Sequence, residues 1–186
     1  MTVATHPSVS MFPWTHAAVG YALLVGLALV LRRQVSRAEL VAVVAGALLP
    51  DLVDKPLAWW FGVLPSGRSL AHSLLLAVPL AVFVLAVAWY RGQLAAGAAF
   101  GLGYASHLLG DTYVALYYWR PAELTFLLWP VLPPYPYDDV TGFVNFFSNV
   151  TPTPALLVTL GLGIVAGGVF AVQFYRAPWW TPTPAA

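Results

Sequence analysis

Apolar residues in this chain gather into runs of membrane-spanning length, broken by short polar or aromatic stretches rather than alternating with them. The first run, WTHAAVGYALLVGLALVL at 14–31, stops at RRQVSR. The second, AELVAVVAGALLPDLVD at 38–54, is short for a full crossing but extends through PLAWWFGVL, whose Trp59 and Trp60 suit an interfacial belt. A third at 69–90 returns to Arg91, a fourth at 94–119 climbs to Arg120, and a last occupies 153–175. Between the last two, residues 121–154 are rich in proline and aromatics, too interrupted for a crossing and too apolar for a free loop. They predict an interfacial cap. Since a spanning helix needs about 20 apolar residues, the pattern predicts an all-α, polytopic transmembrane bundle of about five spans, one domain over 1–186. Pro79 falls inside the third run, which membrane helices tolerate where neighbours satisfy the freed carbonyl. The glycines of GAAFG and GLGIVAGG predict close helix packing.

Charge orients this picture. The segment before the first run has no lysine or arginine, so it does not read as a cleaved signal sequence. The positive-inside rule puts Arg32, Arg33, Arg37, Arg91 and Arg176 in the cytoplasm and Lys55, Arg68 and Arg120 outside. The expectation is a multi-pass protein of the cell membrane with its N-terminus outside, its C-terminus inside and an extracytoplasmic cap. Asp51, Asp54, Asp111, Glu123, Asp138 and Asp139 then fall outside, and Glu39 alone inside.

Composition removes several alternatives. Of 186 residues 60% are hydrophobic and 8% charged, against about 25% charged in a soluble domain. A net charge of +1 with no basic or acidic run gives no reason to expect nucleic acid as a partner. A membrane lipid or a lipid-linked small substrate fits better. With no cysteine, a bound metal has only imidazole and carboxylate to coordinate it.

Five polar residues from four spans fall at one level under this topology. His16 begins the first span, Asp51 and its neighbour Asp54 end the second, His72 begins the third, and His107 and Asp111 lie in the outward half of the fourth. At about 1.5 Å rise per residue, His107 sits about 20 Å above the cytoplasmic start of its helix. His107 and Asp111, at i and i+4, leave the same helix face one turn apart, a separation suited to chelating one ion. Polar groups at membrane depth are costly and mark function by default. Imidazole and carboxylate without thiolate suit zinc, or a manganese or iron pair, in an open hydrolytic site. A bland alternative for His107 and Asp111 is an internal hydrogen-bonded clamp. His6 reads as exposed, and Asp138 and Asp139 as ordinary turn chemistry.

These stretches carry a resemblance. WTHAAVGYAL with His16 and Gly20, GALLPDLVD with Pro50 and Asp51, GRSLAHSLL with Arg68, His72 and Ser73, and GYASHLLGD with Ser106, His107 and Asp111 resemble the membrane-bound metal-dependent hydrolase family, also described as LexA-binding, inner-membrane-associated hydrolases. The motifs come in family order from residue 14 to about 130, with LTFLLWP following the fourth span. The resemblance implies His16, Asp51, His72, His107 and Asp111 as metal ligands. Two positions depart from the family. Its second acid stands two residues after the first, whereas here Val53 holds that place and Asp54 follows, a shift expected to turn the carboxylate elsewhere on the helix; Gly67, Arg68 and Ser69 replace its His-Arg-Gly. More distantly, the order His, Asp, His, His-x3-Asp is similar to the zinc-dependent phospholipase C group.

The expected activity is hydrolysis of a phosphoester in a lipid or lipid-linked substrate at the outer membrane face. One to three divalent ions, zinc first, polarise the phosphoryl group and activate water, Asp54 accepts a proton and Arg68 steadies the anion. Two other classes stay open: a metal or proton transporter module, whose polar residues should continue to the inner side, and a non-catalytic scaffold stabilised by its metal.

Overall fold

A computed structural model describes residues 12–135 and 152–179; His6, Asp138, Asp139 and the cap from residue 136 to 151 lie outside the described residues. Within them every regular element is helical, with no strand. Helices α1 (Pro13–Val30), α2 (Arg37–Trp59), α3 (Leu74–Tyr90) and α4 (Leu94–Tyr117) lead into a 3-10 helix, η1 (Pro121–Leu128), and a final helix α5 (Pro154–Arg176). Two of these, α1 and α5, are long and apolar enough to cross a membrane, and α3 is a shorter apolar helix. All three turn large apolar side chains outward, among them Leu29 on α1, Phe83 on α3 and Ile164 on α5. So continuous an apolar exterior is expected of a surface that meets lipid.

The second helix starts where Ser36 caps it: the Ser36 hydroxyl takes the Glu39 N–H while the Glu39 carboxylate takes the Ser36 N–H at 2.9 Å. Such a reciprocal pair satisfies two of the donors that a helix start leaves free. Pro50 and Pro56 lie inside α2, and Pro79 inside α3, without ending either helix.

Helices α2 and α4 form the centre of the bundle; α1 packs on both, α3 on α4, and α5 chiefly on α1. Their approach depends on two glycines. A Cβ on Gly46 would stand 2.1 Å from the Phe100 carbonyl oxygen, and one on Gly103 would stand 2.1 Å from that of Val43. No side chain fits at either crossing, so the backbones meet directly. The glycines singled out in the sequence divide differently. Gly97 and Gly163 do meet neighbours, but Gly101, Gly161, Gly167 and Gly168 face open space, so the packing expected of GLGIVAGG is only partly present. Beside the seam an apolar layer of Leu24, Leu40, Val43 and Ala99 fills the interior.

One boundary moves from its sequence reading. The third helix starts at Leu74, five residues after the start of its apolar run, because the Asp54 carboxylate takes the N–H groups of Ser69, Ala71 and His72 and so holds them in a loop. Ser73 caps α3 through the Leu75 N–H and donates its hydroxyl to the Trp129 carbonyl at 2.6 Å. That bond ties η1 and the turn after it to the mouth of α3.

Candidate metal centre

The first turn of α1, the last three turns of α2, the loop ahead of α3 and the C-terminal half of α4 meet at one end of the bundle. They bring His16, Asp51, Asp54, His72 and His107 together with at most 6% of any of them exposed, and the Asp111 side chain with 3%. All five residues expected as ligands fall in this cluster, each close to at least one other. Asp111 lies 3.4 Å from His16 Nε2 through Oδ1, and 3.3 Å from His72 Nε2 and 3.7 Å from His107 Nε2 through Oδ2. Asp51 Oδ1 faces His72 Nε2 at 3.7 Å and His107 Nε2 at 3.9 Å. The His16 ring stacks on that of His107, centroids 3.9 Å apart.

The partners of the far ring nitrogens fix what the near ones can do. His107 Nδ1 lies 2.7 Å from the Ala47 carbonyl oxygen, which only accepts, so Nδ1 carries the hydrogen and Nε2 a lone pair. His72 Nδ1 lies 2.8 Å from Asp54 Oδ2, an oxygen that also accepts backbone N–H groups, so Nδ1 again carries the hydrogen. The two Nε2 atoms then face each other at 3.1 Å. Two lone pairs at that distance, flanked by carboxylates, call for positive charge on or between them. A proton on His72 supplies it in one form of the site: burial opposes its cation, but bonds to Asp111 and Asp54 outweigh burial and raise its pKa above the ordinary imidazole value. A divalent cation supplies it in another.

The donor set fits such an ion. His16, Asp51 and His107 offer ligand atoms all within 4.8 Å of one another, as do His72, His107 and Asp111, so His107 belongs to both groups. His16 Nδ1 is buried with no hydrogen-bond partner among the described residues, so one of the two ring nitrogens of this imidazole is left unmatched while the other faces Asp111. The Asp54–His72 bond is the carboxylate–histidine arrangement that orients a metal-ligating imidazole and raises its basicity.

Asp54, expected as a proton acceptor, stands three residues after Asp51 on the same face of α2. One of its oxygens is bonded to the Ala71 N–H and the other to the Ser69 N–H and the His72 ring, with no exposed surface, so its carboxylate holds the His72 ring and the loop that carries it. Arg68 stands at the rim, its Nη2 3.1 Å from Asp111 Oδ1 and its side chain 22% exposed.

Several contributors escaped the sequence reading. Lys55 Nζ lies 2.6 Å from Asp51 Oδ2, a pairing that its i, i+4 spacing could have signalled. Tyr104 donates to the Ala71 carbonyl at 2.5 Å and props the loop that carries His72. Phe126 of η1, fully buried, meets the His72 ring edge-on at 6.1 Å and lies under the Arg68 guanidinium at 6.0 Å. These last two contacts join distant segments, and no local pattern announces them.

Among known proteins, the model of a family described as YdjM inner membrane protein matches residues 11–180. No curated protein and no solved structure matches the chain.

Proposed function

The chain belongs to the YdjM inner membrane protein family, and from that premise we propose that it is a membrane-embedded, metal-dependent hydrolase of phosphoesters in lipid or lipid-linked substrates. The observation that carries the reading is the pair of Nε2 lone pairs facing each other at 3.1 Å between the carboxylates of Asp51 and Asp111. His16, Asp51, His72, His107 and Asp111 would hold one to three divalent ions, zinc first and manganese or iron next. When bound, an ion of this kind polarises a phosphoryl group and makes water nucleophilic near neutral pH.

The chain's own residues do the rest. Asp54 and the Ala47 carbonyl lock the imidazoles of His72 and His107 in the tautomer that presents Nε2 to the site. Lys55 and Arg68, each partly exposed, hold cationic groups against Asp51 and Asp111. They temper the negative charge of the site so that an anionic phosphoester can approach, and the guanidinium matches phosphate geometry. Phe126 closes one wall and keeps water from His72.

In this reading α1 to α5 are five spans, with the N-terminus outside and the site at the outer face beneath the cap. The arginine distribution supports that orientation. The apolar layer of Leu24, Leu40, Val43 and Ala99 inside the bundle favours surface chemistry over a polar path through the membrane.

The test uses the purified full chain in detergent. Metal analysis after desalting should find at least one divalent ion per chain, and the protein should release phosphorylated headgroups in a screen of phospholipids and lipid-linked phosphates. His107→Ala, which removes the residue common to both ligand groups, should lose metal to background and abolish release. Full metal content in that variant would refute the site. Metal-loaded protein that cleaves nothing, with melting that falls on chelation, would make the centre a structural staple instead.

A further inference from the structure

At the end of the bundle away from the histidines, a groove of about 500 Å³ runs between α1 and α5. Its size is that of a small-molecule site. Val25 and Leu29 of α1 form one wall and Val169 and Val172 of α5 the other. Between them Tyr21 donates its hydroxyl to Gln173 Oε1 at 2.7 Å, so this polar pair is satisfied internally. The mouth is different. Arg33 and Arg176 both line it, Arg176 exposed in the last turn of α5 and Arg33 about one-third exposed.

The mouth is held open by a clamp. Arg37 donates through Nε to the Ala177 carbonyl at 2.7 Å and through Nη2 to that of Tyr175 at 2.8 Å, and its backbone N–H reaches the Pro178 carbonyl at 2.7 Å. The end of α5 is thereby fixed to the start of α2, and the width of the groove is set by covalent connection and hydrogen bonds. Charge is unbalanced here: Arg32, Arg33, Arg37 and Arg176 stand against Glu39, whose carboxylate is already bonded to Arg33 and Ser36.

We propose that this groove seats one anionic phospholipid, its phosphate at Arg33 and Arg176 and an acyl chain along Val25, Leu29, Val169 and Val172. The walls belong to the two helices long and apolar enough to cross a membrane, so a lipid tail enters the groove from the bilayer without leaving an apolar environment. The two guanidinium groups that line the mouth select the headgroup, because guanidinium meets phosphate with directional N–H bonds. A soluble anion would match the mouth but would leave the walls unused. The site shares no residue with the histidine cluster and does not depend on it.

Native mass spectrometry of the full chain in detergent, titrated with phosphatidylglycerol or phosphatidylcholine, tests the proposal. One phosphatidylglycerol should be retained per chain, with phosphatidylcholine about tenfold weaker or more. Arg176→Gln should weaken phosphatidylglycerol about tenfold. Val172→Trp, which fills the groove from an exposed position, should do at least as much, and inorganic phosphate in excess should not displace the lipid. Both positions are exposed, so both variants should keep wild-type melting. Equal retention of the two lipids, indifference to both variants, or displacement by inorganic phosphate would each overturn it.

Discussion

The bundle buries carboxylates at both ends and treats them in opposite ways. Glu39 has no exposed surface, yet its donors come from its own neighbourhood: the Ser36 N–H and hydroxyl on one oxygen and Arg33 on the other. At the other end Asp51 and Asp111 meet Lys55 and Arg68 but also three imidazoles, two of which turn lone pairs toward them. A buried acid whose acceptors are matched by donors is a structural element. A buried acid among further acceptors is a place where positive charge binds. Burial alone therefore does not separate a site from a staple; the balance of donors and acceptors around the group does. Asp54 makes the point within the site itself, being as buried as Glu39 and as fully matched.

Three substitutions probe the contrast, beginning with the seam that supports both ends. Gly103→Ala puts a methyl 2.1 Å from the Val43 carbonyl oxygen, where backbone rather than a yielding side chain must move. A loss of about 3 kcal/mol or more is expected, read as a collapse in yield and melting temperature of the detergent-solubilised protein. Near-normal melting would mean that the two helices do not meet at this crossing. Asp54→Asn should keep the fold but reduce metal affinity by about 10–100-fold, measured by competition with a chromophoric chelator. An unchanged affinity would demote Asp54 to a support of the loop, like its counterpart at the other end. Glu39→Gln should leave metal binding alone and lower stability by about 1–2 kcal/mol, seen as a modest drop in melting temperature. Any loss of metal there would break the claimed independence of the ends.

Much of this could be read from the chain because a polar residue in an apolar run has few reasons to be there. His16, Asp51, His72, His107 and Asp111 stood out for that reason, and helical rise put them at one height. Positions of α1 and α4 followed from unbroken apolar runs. The start of α3 did not, since what holds Ser69 to His72 out of the helix is a carboxylate 15 to 18 residues upstream. The same long-range bonds decide the role of Asp54, which no motif spacing contains. Glu39 stands out in the sequence only as the one acid expected on the inner side; that its carboxylate is fully buried follows only from the packing around it. Glycine patterns misled in part, because GLGIVAGG and the Gly46 and Gly103 positions look alike as small residues, and only the neighbouring backbone tells which are needed.

The tight pairing of α2 with α4 across an intervening α3 has a consequence for biosynthesis. Helices that emerge from the ribosome in order cannot complete this centre in order: His16 and Asp51 are made long before residue 107, the one that both ligand groups need. In the five-span reading the early helices would enter the bilayer with these groups still lacking their partners. The position of His16 in the first turn of α1 makes that tolerable for the imidazole, and Lys55, one turn after Asp51 on the same helix, offsets the carboxylate, since the penalty for an unpaired charge is greatest at the centre of the span. A cluster drawn from four segments that are far apart in the chain is completed only when the fourth helix is in place.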